Sequence, residues 1–243
     1  MLSPVLAGEK KFQDIILNDE AWYADNGITL HTSCMVTSID TVSRIVFACG
    51  GVVEKYDKLI LATGSDAVRL PLPGANLNGV ITFRDLADVE SMVQASTAGG
   101  ARAVIIGGGL LGLEAAYGLA RRGMKATVVH LLDILMERQV DASASHLLTE
   151  ALKERGVETI LGGQSEEIVG CDGKVTALRL KDGRILPCDI LVMAVGIRPS
   201  AQLAKTSNLG VGRGIIVDDT MRTSDPNVFA VGECAEHRGQ CYG

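Results

Sequence analysis

Residues 103–116, AVIIGGGLLGLEAA, carry the clearest structural signal in this chain. Four apolar residues predict a buried strand, the glycines after them predict a tight turn, and the pattern that follows predicts a helix to about Arg122. A strand that runs through a glycine turn straight into a helix is the context in which G-x-G-x-x-G indicates dinucleotide binding. The sequence therefore predicts a dinucleotide site at this turn.

Each glycine of the motif has a separate physical role. Gly107 allows the tight turn, Gly109 lets the backbone approach a pyrophosphate, and Gly112 lets the helix pack closely on the strand. The N-terminus of the helix adds unpaired N–H groups and about half a positive charge. The alternative interpretation, a glycine-rich turn in an ordinary α/β domain, is disfavoured by the strand and helix that flank the motif.

Composition places the chain among globular proteins and excludes several classes of partner. Its 243 residues are 47% hydrophobic and 21% charged, which excludes disorder. The net charge of −6, without a run of Lys or Arg, makes nucleic acid and anionic membranes poor partners. The apolar stretches are too short to span a bilayer, and the first residues lack the pattern of a signal peptide. We expect a cytoplasmic protein that binds neither nucleic acid nor membrane.

The cysteines are expected to be reduced and to act as small buried hydrophobes. No C-x-x-C pair occurs among the six, which argues against a redox dithiol of the thioredoxin type and against a metal site made from local ligands. They are Cys34, Cys49, Cys171, Cys188, Cys234 and Cys241.

Apolar periodicity and glycine or proline breaks predict an α/β chain built around one βαβ unit. The predicted helices are residues 84–98, 110–122 and 141–155. Gly99-Gly100 would end the first helix and Asp141 would cap the third, whose predicted inner face is Leu147, Leu148, Ala151 and Leu152. The predicted strands are 28–31, 35–39, 44–48, 52–56, 58–62, 103–106, 126–130, 157–161, 166–169, 175–180, 190–195, 214–217 and 227–231.

Four motifs in a fixed order carry a family resemblance: ATG at 62–64, the glycine motif at 107–112, AVGIRP at 194–199, and TSDPNVFAVGE at 223–233. Together they resemble the NAD(P)H-dependent, FAD-containing flavoproteins of the pyridine nucleotide–disulfide oxidoreductase fold. Within that fold, LSPVLAGE at 2–9, VHL at 129–131, LMERQ at 135–139 and GECA at 232–235 most resemble the large subunit of assimilatory NAD(P)H nitrite reductase.

The resemblance implies a three-layer, Rossmann-like NAD(P)-binding domain inserted in an incomplete FAD-binding domain of the same kind. Residues 89–196 would form the NAD(P) part, and 1–88 with 197–243 the FAD part. The family carries an earlier glycine motif that holds the ADP half of FAD, and these nitrite reductases add C-terminal iron–sulfur and sirohaem segments. Neither occurs in this sequence, so we expect a fragment.

The resemblance also implies the residues of the NAD(P) site. Gly107, Gly109, Leu110, Leu111 and Gly112 would cradle the pyrophosphate. Glu114 would lie near the nicotinamide side, although it is equally explained as a first-turn glutamate favoured by the helix dipole. Gly196 would lie near the nicotinamide, or would simply end a strand.

His130 follows the second strand of the βαβ unit, where NAD-specific enzymes usually place Asp or Glu on the ribose hydroxyls. We expect it to contact the adenosine ribose. A histidine supplies neither a fixed anion for those hydroxyls nor the permanent charge of an arginine for a 2′-phosphate, although Arg138 could approach. The choice between NADH and NADPH therefore stays open, with NADH slightly favoured by the family.

On the flavin side, the resemblance implies that Thr63 and Gly64 lie where the backbone passes FAD. Gly232 and Glu233 match the Gly-Asp element whose acid accepts a hydrogen bond from a ribityl or ribose hydroxyl. Glutamate in place of aspartate adds one methylene of reach. A surface glutamate is the alternative interpretation.

The function implied is an oxidoreductase module in which NAD(P)H passes hydride to flavin, and electrons then go to acceptor domains or an acceptor protein. No catalytic acid or base is predicted. A ferredoxin or rubredoxin reductase, an NADH oxidase, and a truncated dinucleotide-binding module without turnover of its own are the alternatives. An uncovered sheet edge makes a homodimer a further expectation.

Overall fold

The computed structural model describes residues 2–98 and 100–241. Its helices are α1 (Ser3–Leu6), α2 (Glu20–Asp25), α3 (Leu86–Ser96), α4 (Leu110–Arg121), α5 (Ala142–Glu154) and α6 (Gln202–Thr206), with 3-10 turns at Phe12–Ile15, Cys49–Gly51 and Gly232–Cys234. Its strands are β1 (Val36–Asp40), β2 (Ile45–Ala48), β3 (Val53–Lys55), β4 (Leu59–Leu61), β5 (Ser65–Ala67), β6 (Val80–Thr82), β7 (Arg102–Ile106), β8 (Lys125–Val129), β9 (Val157–Ile160), β10 (Ser165–Cys171), β11 (Lys174–Leu180), β12 (Ile185–Pro187), β13 (Ile190–Met193), β14 (Ile197–Pro199), β15 (Ile215–Val217), β16 (Val228–Ala230), β17 (Ala235–His237) and β18 (Gln240–Cys241).

The chain divides into two compact units. The first unit comprises Met1–Ile16 and Ala67–Gly196, and the second comprises Leu17–Asp66 and Ile197–Gly243. The long segment of the first unit is thus inserted between the two segments of the second.

A five-stranded parallel sheet forms the centre of the first unit, in the order β6-β13-β7-β8-β9. Met193, Ile106, Val129 and Ile160 are paired across neighbouring strands, so the carboxyl ends of β13, β7, β8 and β9 meet at one edge. The glycine turn begins at that edge, immediately after Ile106. Ligands of open α/β sheets bind beyond this edge.

Alternate residues of β7 face two different cores. Ala103 and Ile105 belong to a core formed with α1, α3, α4 and α5, whereas Val104 and Ile106 belong to a core shared with the antiparallel sheet β10-β11-β12. Both faces of the parallel sheet are therefore buried, as its continuous apolar strands require. The three-layer, Rossmann-like arrangement is confirmed, with an antiparallel sheet as the third layer.

The first unit also includes residues 1–16 and 67–88, which the resemblance groups with the FAD part. Leu6 is fully buried in the helical core, and a Cβ added at Gly118 would lie 2.7 Å from its Cγ. The Arg122 guanidinium donates hydrogen bonds to the carbonyls of Leu6 and Val5. The boundaries of the compact units can differ from those of the cofactor-binding domains. The assignment of NAD(P) and FAD to segments of the chain therefore stays a prediction.

Among the described residues, three small sheets lie wholly within the second unit. β1-β2-β3 is antiparallel, β4 and β16 form a parallel pair, and β15-β17-β18 is mixed. Their inward side chains form one core, which includes Ile39, Leu61, Ala204, Leu209, Ile215, Val228, Ala230 and Cys234.

Several details differ from the sequence-based predictions. Residues 28–31 form no strand, because the N–H of Ile28 closes the end of α2 by donating to the Tyr23 carbonyl. Asp141 caps α5 as predicted, accepting from the Ala144 N–H at 2.9 Å, but Leu147 is 70% exposed and does not belong to the inner face. Gly99 lies outside the described residues.

The prediction of buried cysteines holds only for Cys188 and Cys234. Cys49 and Cys171 are exposed, and the other two are half-buried. Both exposed residues are next to hairpin turns, where the chain has little structure to cover a side chain.

Cys188 is expected to resist thiol reagents in the folded protein. Burial, with a smaller contribution from nearby Asp189, raises its pKa to about 12, so the reactive thiolate is scarce at neutral pH. At about pH 8 we expect maleimide to label Cys49 and Cys171 at once and Cys188 only after denaturation. Labelling of native Cys188 at the rate of Cys171 would contradict its burial. The stabilisation from the neutral thiol is present below pH 9.0 and is lost as the pH rises toward 12.

Candidate functional site

Backbone contacts require glycine at positions 107 and 112 of the glycine turn in the first unit. Gly107 has a φ of +119°, and a Cβ there would lie 2.2 Å from the Ala194 carbonyl oxygen. A Cβ on Gly112 would lie 2.0 Å from the Gly107 carbonyl oxygen. The first glycine therefore sets the turn, and Gly112 lets α4 pack directly on it.

Gly109 differs from these two because its surroundings are open. Its φ of −82° suits any residue, and no described heavy atom lies within 4 Å of an added Cβ. It is the N-cap residue of α4 and has no side chain with which to cap the helix. Leu110 and Leu111 in the first turn are 56% and 37% exposed. A phosphate group can thus approach these backbone amides closely, so the residues present fit a dinucleotide.

His130 is buried beside the turn, at the carboxyl end of β8. Its Nδ1 accepts the N–H of Gly108 at 3.0 Å, so the proton of the neutral ring is on Nε2. Nε2 lies 3.2 Å from Glu137 Oε2, but the two are not aligned for a hydrogen bond, and Nε2 has no other acceptor among the described residues. We treat the pair as a close electrostatic contact, which leaves a buried donor at the site.

Glu137 reaches this position because of the residue before it. Met136 adopts a left-handed conformation with a φ of +51°, and its N–H donates to the Gly108 carbonyl at 3.0 Å. The loop after β8 is thereby tied to the glycine turn, with the Glu137 carboxylate next to His130. Sequence reasoning missed Gly108 and Glu137. Gly108, the middle glycine of the run, is not required by G-x-G-x-x-G and was therefore a signal, since a Cβ added there would meet His130 Cγ at 2.7 Å.

Glu114 has a contact that neither interpretation of the sequence included. Its Oε2 accepts a hydrogen bond from Ser3 Oγ at 2.5 Å, which links α4 to α1. Gly196, with a φ of +113°, lies three residues beyond β13 at the same edge as the glycine turn, and its carbonyl accepts the Val68 N–H. Glu114 and Gly196 both lie in the first unit, and their proximity to a nicotinamide stays a prediction.

The four residues predicted for the flavin are brought together in the second unit. β4 and β16 are parallel, so Thr63 and Gly64 follow one strand at the edge where Gly232 and Glu233 follow the other. Ser65 Oγ donates to Glu233 Oε2 at 2.7 Å, which holds the carboxylate at this edge. Gly232 has a φ of +76°, and no described atom lies within 4 Å of an added Cβ. The carboxylate of Glu233 and the open space beside Gly232 fit a ligand that carries hydroxyl groups.

A metal-binding cluster and a membrane-spanning helix are both absent from the described part of the chain. No group of three His, Cys, Asp or Glu side chains is arranged to hold a metal ion. Within residues 2–98 and 100–241, no helix has the length and apolar character needed to cross a membrane.

The fold and site define a class, the two-dinucleotide oxidoreductases. The chain belongs to the pyridine nucleotide-disulphide oxidoreductase family, whose model matches residues 1–242. Members of this family use NAD(P)H and FAD, which confirms the expected cofactor classes.

Three known proteins show where the chain lies within the family. It is 50% identical over its whole length to nitrite reductase [NAD(P)H] of Bacillus subtilis, covering 30% of that protein. It is 43% identical to the assimilatory nitrate reductase electron transfer subunit of the same organism, covering 31%. A crystal structure of a ferredoxin reductase from Rhodopseudomonas palustris matches 97% of this chain with a TM-score of 0.91 and 32% identity, over 58% of that protein. The chain thus spans about a third of the curated relatives' length.

Proposed function

We propose that this chain is the NAD(P)H-oxidising part of a nitrite-reductase-type large subunit. The observation that carries the proposal is the glycine turn, where Gly109 leaves open space beside the uncapped N-terminus of α4. The identity to a nitrite reductase over all 243 residues supports the particular type.

In this proposal the first unit holds the nicotinamide dinucleotide. The amides of Gly109, Leu110 and Leu111 receive the pyrophosphate at the positive end of the α4 dipole. His130 Nε2 donates to a hydroxyl of the adenosine ribose, and Glu137 accepts from one. Gly196 lies on the nicotinamide side, and Glu114, held by Ser3, orients the start of α4.

The Glu137 carboxylate favours NADH over NADPH in this site. Because His130 presents a donor, a neighbouring acceptor is needed to satisfy both hydrogen-bonding roles of a ribose hydroxyl. The same carboxylate repels a 2′-phosphate. Glu137 thus performs the task that an acidic residue at the end of β8 performs in other NAD-binding proteins.

FAD, when bound, supplies the acceptor for the hydride of NAD(P)H. Thr63 and Gly64 offer backbone contacts to it, and Gly232 and Glu233 receive a hydroxyl of its ribityl or ribose part. These contacts come from two neighbouring strand ends alone, so we propose that the chain by itself holds flavin weakly. In the full protein, electrons pass to acceptor domains or an acceptor protein.

The test is an absorbance spectrum of the purified chain followed by titration with NADH. We expect a colourless protein that enhances and shifts NADH fluorescence on binding. Bound flavin that is bleached by NADH would instead support an enzyme complete in this chain. A protein that binds neither NADH nor NADPH would contradict the proposal.

Two alternatives keep specific support. The likeness to a ferredoxin reductase favours a ferredoxin or rubredoxin reductase-like flavoprotein, with an NADH oxidase in the same class. The open glycine turn by itself suffices for a dinucleotide-binding module without turnover of its own, which is the second alternative. Reduction of nitrite or of a ferredoxin by the full-length protein separates the first alternative from the proposal. The homodimer and the cytoplasmic location stay predictions.

A further inference from the structure

Two cysteines meet at the base of the first hairpin of the second unit. Cys34 lies two residues before β1, and Cys49 directly follows β2. The two strands are antiparallel with Val36 opposite Ala48, and the Cys49 N–H donates to the Met35 carbonyl at 2.8 Å. Cys49 therefore faces Met35, and Cys34 is the next residue along the chain, so the two cysteines meet diagonally across the pair. A hydrogen bond joins their side chains.

The thiols lie against each other's backbone. Cys49 Sγ accepts the Met35 N–H at 3.0 Å and donates to the Ser33 carbonyl at 3.8 Å, so it contacts the residues on both sides of Cys34. Cys34 Sγ in turn donates to the Cys49 carbonyl at 3.4 Å. Ser33 has a left-handed φ of +53°, which bends the chain before the hairpin.

The two thiols differ in access to solvent. Cys49 is exposed and Cys34 is half-buried. Desolvation raises the pKa of the Cys34 thiol, and a hydrogen bond with the Cys49 side chain raises it further. Cys49 is therefore the thiol that a dissolved oxidant reaches first, with Cys34 next to it as a protonated partner.

We propose that Cys34 and Cys49 are a modification site at which a peroxide oxidises two thiols to an intramolecular disulfide. The Cys49 sulfur attacks a peroxide oxygen, the O–O bond breaks, and one water leaves as a sulfenic acid forms. The Cys34 sulfur then attacks the Cys49 sulfur, the S–S bond forms, and the sulfenic oxygen leaves as a second water. Two thiols lose two electrons and two protons, and one hydrogen peroxide becomes two waters.

The disulfide closes the loop between residues that are 15 apart in sequence. Cross-linking a loop of this length restricts the unfolded chain, so the oxidised protein should melt at a higher temperature, by on the order of 5 °C. Treatment of the oxidised protein with dithiothreitol should reduce the disulfide and restore the original melting temperature.

The experiment treats the whole chain with hydrogen peroxide and measures intact mass, followed by peptide mapping after alkylation. We expect the wild type to become lighter by two hydrogens, with Cys34 and Cys49 in one cross-linked peptide pair. Cys49→Ser should lose this change, and Cys34→Ser should instead gain oxygen at Cys49, since the sulfenic acid then has no partner. Cys171→Ser, which removes an exposed thiol from another hairpin, should cross-link like the wild type.

Other outcomes would overturn the proposal. One is oxygen addition at Cys49 in the wild type to the same extent as in Cys34→Ser. The others are disulfide-linked dimers in place of the internal link, or alkylation of both thiols after peroxide treatment. The readouts do not depend on NADH or flavin, so the proposed function and this site fail separately.

Discussion

Gly112→Ala is expected to lower the free energy of unfolding by about 2 kcal/mol or more and to abolish NADH binding. Alanine is the better helix former by about 1 kcal/mol, so the substitution would stabilise an exposed helix. Here the added Cβ would lie 2.0 Å from the Gly107 carbonyl oxygen and 3.0 Å from its carbon. Both atoms are backbone and cannot rotate away, so either the turn or the start of α4 must move.

A matched variant separates stability from binding. In Gly109→Ala the added Cβ meets no described atom within 4 Å, and its φ of −82° is allowed. We expect its free energy of unfolding to change by about 1 kcal/mol at most, the usual range for an N-cap change. Its affinity for NADH should still fall about tenfold or more, because the methyl group occupies the space of the pyrophosphate.

Urea unfolding and NADH fluorescence titration measure the two effects. Equal loss of stability in both variants would contradict the close contact between α4 and the glycine turn. Unchanged NADH affinity in a folded Gly109→Ala protein would contradict the dinucleotide site itself.

The parts of the fold that sequence predicts well are those governed by local chemistry. The strand before Gly107, the helix after Gly109 and the Asp141 cap each depend on residues within one or two turns of chain. Their sequence signals agree with their packing. β6 was missed because three residues, Val80–Thr82, are too short for a periodic pattern, although Gly79 before them has a φ of +87°.

The site residues show where local reasoning ends. The place of His130 beside the glycine turn could be predicted, because its position at the end of β8 follows from the βαβ unit. Glu137 was not, since its contact with His130 depends on the left-handed Met136 and on the bond from Met136 to Gly108. A methionine with positive φ has no sequence signature. Contacts made through such loops require the tertiary structure.

The cysteine pair illustrates the same limit in the second unit. Strands at 35–39 and 44–48 were predicted, and an antiparallel pairing of these two strands would bring residues near 34 and 49 together. The register is irregular between Val36 and Ser38, however, so the facing residues could not be derived by counting from the turn. The absence of C-x-x-C spacing therefore said little about thiols that meet through pairing of strands.

Glu137→Gln is expected to narrow the preference for NADH over NADPH by about tenfold. The 2′-phosphate of NADPH carries close to two negative charges, and it would lie beside a carboxylate that is 32% exposed. Partial exposure and salt reduce the repulsion between the carboxylate and the 2′-phosphate. We expect about 1.4 kcal/mol of it to remain, which corresponds to a tenfold change in affinity. Glutamine keeps a carbonyl acceptor for the ribose hydroxyl, so NADPH should gain affinity while NADH loses little.

Dissociation constants for both coenzymes, measured at low and high salt, test this expectation. The charge-matched control is Glu154→Gln at the last residue of α5, on the side of the sheet away from the strand ends that carry the glycine turn. The NADPH gain of Glu137→Gln should shrink as salt screens the wild-type repulsion, because the effect is electrostatic. An unchanged ratio, or an equal change in the Glu154 control, would show that Glu137 does not face the ribose. If the wild type bound neither coenzyme, the proposed dinucleotide site at the glycine turn would be contradicted. The role of Glu137 would then not be tested, because Glu137 only selects between ligands that the turn must first bind.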